Sequence, residues 1–424
     1  MHIEKLKVRN FRGFAEEEFV FDPHFNVIVG ENGSGKTALL EALKYAIGPA
    51  VPKFKRQDHL DSRIKEFDIR YVEYEHSTER VFPCALEVSL QFEGVSSGWE
   101  VEWDEDSEGF TNTKDFSPLF GLESEVRAGN EDTKLILAAF YGTGRLFLES
   151  QENGNGEDDQ ISSRFRAYYQ CFNAQSTFSQ FAKWFQGKEA AAIQKGEEPM
   201  GLKTLRKMVI DAIPGCKNFY HEFDPDKNPG LKIAFEDGRV LPFAYLSDGT
   251  RNFIALMADI AHKCLILNPQ LGHKALEETE GVVLIDELDL HLHPAWQRLI
   301  INQLKKTFPK VQFFATTHSP FLIQEAAEGE LIQLKGDGVA LGLGGDNLSL
   351  EDIAEQVQQV ENPRWSTRRM ELYALGKKYY EALALGEDEE AIKAQLTEAE
   401  RDFTDDPLFY AYLDALKAQL YEAD

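Results

Sequence analysis

Two stretches of the sequence carry residue types that could do chemistry together. The first is Gly30-Glu31-Asn32-Gly33-Ser34-Gly35-Lys36-Thr37. Glycines at this spacing let backbone N–H groups turn inward around phosphate oxygens, and a following helix adds positive potential at its N-terminus. Lys36 is then placed to reach the β- and γ-phosphates, and the Thr37 hydroxyl to ligate Mg²⁺. The second stretch, Gly281-Val282-Val283-Leu284-Ile285-Asp286-Glu287, is an apolar run ending in two carboxylates. Strand ends often carry an acid, so this pattern says little alone. In a chain with a P-loop it reads as a Walker B strand, with Asp286 supporting Mg²⁺ and Glu287 orienting and deprotonating a water.

Those residues need elements to hold them. Residues 25–29 (FNVIV) are a short apolar run before the glycines, and 38–44 (ALLEALK) has helical spacing after them, the strand–loop–helix context a P-loop requires. Ile3, Leu6, Val8 and Phe11 open the chain near period two, and 19–21 reads as a second strand. Between them lies Asn10-Phe11-Arg12-Gly13-Phe14, where Arg12 could approach a bound nucleotide or simply be a solvated turn arginine. Residues 81–92 and 99–103 alternate like antiparallel strands. The stretch 104–132 is acidic and glycine-rich, a surface loop. Residues 135–141 form a buried strand, 151–160 a flexible segment, and 165–213 a mostly helical region whose aromatic stripe reads as core packing. Glu236-Asp237-Gly238 marks a hairpin.

Further on, Leu246-Ser247-Asp248-Gly249-Thr250-Arg251-Asn252 precedes an apolar helix, which Ser247 can cap. Residues 311–316 (VQFFAT) are another buried strand, ending in Thr317-His318-Ser319-Pro320. A histidine just past a core strand could sense a γ-phosphate. His291 and His293 form an H-x-H pair, but no third ligand follows at helical spacing, so they read as hydrogen-bonded structural histidines.

Composition narrows the function class. The 424-residue chain is 43% hydrophobic and 12% aromatic, the profile of a soluble globular protein with two or three domains. No apolar run approaches the roughly 18 residues of a membrane span, and the N-terminus lacks a signal peptide's apolar core, so a cytoplasmic location is expected. Cys84, Cys171, Cys216 and Cys264 are scattered without a C-x-x-C pair, which fits reduced thiols. The net charge of −27 argues against indiscriminate coating of nucleic acid, and equally fits a charge that only keeps the protein soluble.

Five elements now stand in order: GENGSGKT, LSDGTRN, VVLIDE, LDLHLHP and TTHSP. Together they resemble the ATP-binding-cassette (ABC) ATPases of the SMC, RecF and OLD-like group, over roughly residues 1–335. The resemblance implies an α/β P-loop NTPase fold: an ABC-ATPase head over 1–345 with a mixed sheet, an antiparallel β lobe and a helical or loop insertion at about 104–225, then a C-terminal helical region over 346–424. It makes LSDGT the signature motif, with Asp248 where glycine is usual, DLHLHP the D-loop, and His318 the switch histidine. No glutamine loop is obvious, the nearest candidate being 141–145. The resemblance also implies ATP and Mg²⁺ as cofactors, ATP hydrolysis, and a head-to-head homodimer in which Ser247 and Gly249 complete the partner's site. Lys36, Glu287 and His318 become the catalytic set. Residues 30–37 bind nucleotide, with Arg12 of the preceding turn as a further candidate, and Thr37 with Asp286 hold the metal.

Closer still, NFRGF, YGTGRLF, IDELDLHLHPAWQ and TTHSPFLI are similar to the ATPases of Septu-type and retron-associated anti-phage systems. That likeness implies a small HNH nuclease as a separate partner, contact with nucleic acid or a retron RNA–DNA complex, no nuclease activity in this chain, and no membrane. After His318 there is no D-x-D pair on an apolar strand of the kind a Toprim nuclease carries. Instead 365–385 and 388–420 have helical spacing, with Arg364, Arg368, Arg369, Lys377 and Lys378 forming a basic cluster. It could bind nucleic acid, dock an acidic partner, or pair with nearby glutamates. Rival readings are a RecF-like DNA-repair ATPase and a scaffold held by nucleotide.

Overall fold

The computed structural model describes residues 1–51, 63–105, 118–144, 164–173, 178–335 and 338–385, with positions 393–394, 397, 411–412 and 414–415. The chain divides into two compact units, Met1–Ile353 and Ala354–Asp424.

The first unit is built on a six-stranded sheet ordered Gly338–Leu343, Leu331–Lys335, Phe25–Gly30, Val311–Thr316, Gly281–Ile285 and Leu137–Tyr141. All pairings are parallel except that of Gly338–Leu343 with its neighbour. Buried on both faces, its inner strands are runs of Val, Ile, Leu and Phe, as a parallel sheet requires. Three strands that lie far apart in sequence are adjacent here, and their carboxyl ends carry 30–37, Asp286-Glu287 and Thr317-His318. That crevice is where open α/β sheets bind ligands.

A second, antiparallel sheet runs Phe14–Val20, His2–Phe11, Cys84–Phe92, Val95–Trp103. Its first strand reaches back to Phe14, further than 19–21. Glu16 and Glu18 look like loop residues in sequence, but they line the solvent face opposite Lys7 and Lys5 at 2.9 and 3.4 Å. The last strand starts at Val95 instead of residue 99. Ser96, Ser97 and Gly98 hide the alternation, and Gly98 is needed because a Cβ there would lie 2.9 Å from the Val88 carbonyl. Pro83 lacks an N–H, so the Cys84–Phe92 strand begins after it. Gln312 joins the two sheets: its amide accepts from Ile3 N–H at 2.7 Å and donates to the Ile3 and Asp22 carbonyls.

Helix Lys36–Ile47 buries Leu39, Leu40 and Leu43 and receives the Trp99 indole N–H on its Ala46 carbonyl at 2.7 Å. The region 165–213 resolves into a 3₁₀ turn at Arg164–Tyr168 and the helices Phe178–Lys195 and Met200–Ala212. Phe181 and Phe185 of its aromatic stripe are fully buried. The stretch 104–225 is not a single appendage, since Leu137–Tyr141 passes through it to the edge of the central sheet. The hairpin at Glu236–Gly238 joins Gly230–Phe235 to Val240–Pro242 and pairs onward with Cys216–Glu222. All four cysteines are free and buried. Burial pushes the Cys84, Cys171 and Cys264 thiols up to about 12, so none is a ready nucleophile.

The second unit contains helix Thr367–Leu385, where Leu372 and Tyr373 are buried, with Trp365 stacked on Tyr373 and Tyr412 packed beside it. Most of 386–420 and all of 145–163, including Arg145, lie outside the described residues. Among the described residues no helix is long and apolar enough to cross a membrane.

Candidate nucleotide site

The loop 30–37 needs backbone conformations that side chains resist. Gly35 has φ +99 and lies against Phe14, whose ring would sit 2.9 Å from an added Cβ. Phe14 ends the Arg12-Gly13 turn, so the first hairpin buttresses the P-loop. A Cβ on Gly30 would meet Ser34 Oγ at 2.5 Å and the Leu334 carbonyl at 2.6 Å. Lys36 Nζ folds over the loop and donates to the Gly30 and Glu31 carbonyls, each at 2.8 Å. Burial pulls its ammonium below the usual lysine range, against the opposing pull of Asp286 and Glu287. Glu31, Asn32 and Gly33 are exposed at the rim, whereas Ser34 Oγ is buried with no hydrogen-bond partner.

Across the crevice, Thr37 Oγ1 lies 3.2 and 3.4 Å from the two oxygens of Asp286. Asp286 is 7% exposed. Its N–H donates to the Tyr141 carbonyl on the edge strand, and its Oδ1 accepts from Thr316 Oγ1 at 2.6 Å. Glu287 follows in the left-handed region at φ +50, a conformation costing about 1–3 kcal/mol that surrounding bonds must offset. Its N–H donates to Thr316 Oγ1 at 2.7 Å, and its carbonyl accepts from Leu290 N–H.

The D-loop follows. Thr317 Oγ1 donates to Asp289 Oδ1 at 2.5 Å, and Ser319 Oγ donates to Gln297, which in turn holds the Leu292 carbonyl. His293 caps helix Pro294–Thr307, its Nδ1 accepting from Ala295 N–H. His318 is exposed beside this network. Gly249 is buried against the D-loop, where a Cβ would lie 2.2 Å from the His291 carbonyl oxygen. Ser247 caps helix Asp248–Leu267 by accepting from Thr250 N–H, and its hydroxyl also bonds Thr250 Oγ1 at 2.8 Å. It is exposed and does not meet the Lys36–Asp286 group. Arg12 Nε donates to the buried Asp68 at 2.7 Å, and Arg12 N–H to the Asp68 carbonyl.

The residues fit a nucleotide with its cation. The glycine cradle would be filled by any Cβ at Gly30, Ser34 holds an unmet polar atom, and a hydroxyl and a carboxylate converge at Thr37 and Asp286. That all-oxygen pair suits Mg²⁺, which binds through one or two protein oxygens plus phosphate. Among the described residues no cluster of three or more His, Cys, Asp or Glu is arranged to hold a metal. Sequence reasoning missed Thr316, Thr317 and Gln297. The signal for the threonines was the Thr-Thr pair at the end of the strand 311–316, and Gln297 had none.

Residues 25–324 match the family described as "AAA domain, putative AbiEii toxin, Type IV TA system". Over 371 residues the chain is 24% identical to "Retron Vc95 probable ATPase" of Vibrio cholerae serotype O1 biovar El Tor, covering 75% of this chain and 71% of that protein. It is 26% identical over 374 residues to "Septu protein PtuA" of Bacillus thuringiensis, covering 85% of each. Among solved structures it is similar to the Smc head bound to the C-terminal winged-helix domain of ScpA, with a TM-score of 0.49, 14% identity, and coverage of 82% of this chain and 99% of that one.

Proposed function

The chain belongs to this AAA-domain family, with named relatives among retron ATPases and Septu proteins, and from that premise we propose that it is an ATP-hydrolysing ABC-type ATPase of bacterial anti-phage defence. In this reading two heads close around ATP and govern a separate nuclease of HNH type. The observation that carries it is the convergence of Thr37 and Asp286 at 3.2 Å beside the Lys36 loop.

Lys36, held over the loop by the Gly30 and Glu31 carbonyls, would reach the terminal phosphates, where donor and acceptor are both charged. Thr37 and Asp286 would hold Mg²⁺, whose charge would offset that of the phosphate oxygens. Glu287 takes a proton from the attacking water, and His318 reads the γ-phosphate. Ser247, exposed at its helix N-terminus, faces the nucleotide of the partner head. The nuclease partner rests on the resemblance to Septu and retron ATPases.

Glu287→Gln is the deciding variant. It should bind ATP, lose at least ~100-fold in turnover, and accumulate as a dimer of twice the mass in light scattering. Unchanged turnover, or a monomer at saturating ATP, would overturn the reading. Mixing the chain with the product of the adjacent gene tests the nuclease: DNA cleavage should need both proteins.

A further inference from the structure

Thr316 is the last residue of its strand and 1% exposed. A threonine hydroxyl has one hydrogen to give and lone pairs to receive. Here it gives to Asp286 Oδ1 at 2.6 Å and receives Glu287 N–H at 2.7 Å, while its carbonyl accepts from Leu288 N–H at 2.9 Å. The parallel ladder between the two strands stops at the Ile285–Ala315 pair. Just past that pair, Glu287 N–H is met by the Thr316 hydroxyl.

We propose that Thr316 is a positioning residue for both Walker B acids, orienting the Asp286 carboxylate toward Thr37 and holding Glu287 in its left-handed turn. This rests on the assignment of Asp286 to the metal and Glu287 to the water. A merely space-filling threonine would be replaced by valine, its near-isostere, without consequence. A positioning hydroxyl would not.

The test compares Thr316→Val and Thr316→Ser in the full chain. Manganese binding with ADP is followed by electron paramagnetic resonance, together with hydrogen exchange of the amides at 285–288, kcat and KM for ATP, and thermal melting. The valine variant should lose about 10–100-fold in manganese affinity and in kcat, with KM changed far less, and its Glu287 amide should exchange faster. Serine should recover most of each loss. Wild-type manganese affinity and exchange in Thr316→Val would overturn the proposal, as would a serine variant as impaired as the valine one. Thr316→Ala serves the same comparison if valine lowers the melting temperature below the assay. The manganese titration reads Thr316 itself, whereas turnover in Glu287→Gln reads the hydrolysis assignment, so the two can fail separately.

Discussion

Lys36 donates to two carbonyls of its own loop, Gly30 and Glu31, which fixes its ammonium over the glycine turn. His262 shows the opposite treatment of a titratable group. It lies on helix Asp248–Leu267, packed against Trp184 and Phe181, with Nε2 buried and unpartnered. Burial pulls its pKa down to about 3, with Lys263 and Arg166 adding to the pull and Asp259 opposing it. The folded protein therefore keeps His262 neutral while the unfolded chain protonates it below about pH 6.5. Stability from this residue is complete above that value and falls as pH drops toward 3, by up to about 1.4 kcal/mol per pH unit. His262→Leu should flatten that part of the acid limb in urea titrations at a series of pH values. An unchanged slope would show that His262 is not the group responsible.

At the scale of elements, helix Asp248–Leu267 meets the rest of the site in two places. Near its middle, Asp259 pairs with Lys263 and accepts the Tyr141 hydroxyl at 2.7 Å. Tyr141 also takes the Asp286 N–H on its carbonyl, so helix Asp248–Leu267 and the end of strand Gly281–Ile285 meet at one residue. At its start, Gly249 touches the D-loop at His291, itself at φ +61. Alanine in place of glycine favours a helix by about 1 kcal/mol. A Cβ 2.2 Å from a backbone oxygen outweighs that gain, because the D-loop must move to relieve it. Gly249→Ala should therefore lower the melting temperature and weaken ATP-driven dimer formation in sedimentation velocity, while nucleotide affinity of the monomer stays within about twofold. A variant that melts higher and dimerises normally would remove the D-loop contact from consideration.

For the whole molecule, the charge of −27 is the dominant long-range fact. Phosphate backbones are repelled until a few cations come within a Debye length. In the second unit, the candidates are partly engaged: Arg369 lies over the Trp365 ring, and Lys377 lies 3.8 Å from Glu381. The chain alone should therefore bind duplex DNA no more tightly than the non-specific range of about 10⁻⁴–10⁻⁶ M at physiological salt. Fluorescence anisotropy at two salt concentrations checks this, and tight, salt-insensitive binding would contradict it.

The P-loop, the Asp286-Glu287 pair and the apolar strands were legible in sequence because each is a local pattern. A glycine spacing, a run of four apolar residues and a change of period all act over a few neighbours. The strand from Phe14 and the one from Val95 were hidden, since their polar residues make sense only beside Lys5 and Lys7 or under the Val88 carbonyl. Thr316 was hidden for the same reason. Its hydroxyl matters through Asp286 and Glu287, which lie about 30 residues away and come near only when two parallel strands pair. Local residue order thus determined which groups could handle a nucleotide. Tertiary structure alone decided how they are held, because the hydrogen bonds that orient them span the sheet rather than the chain.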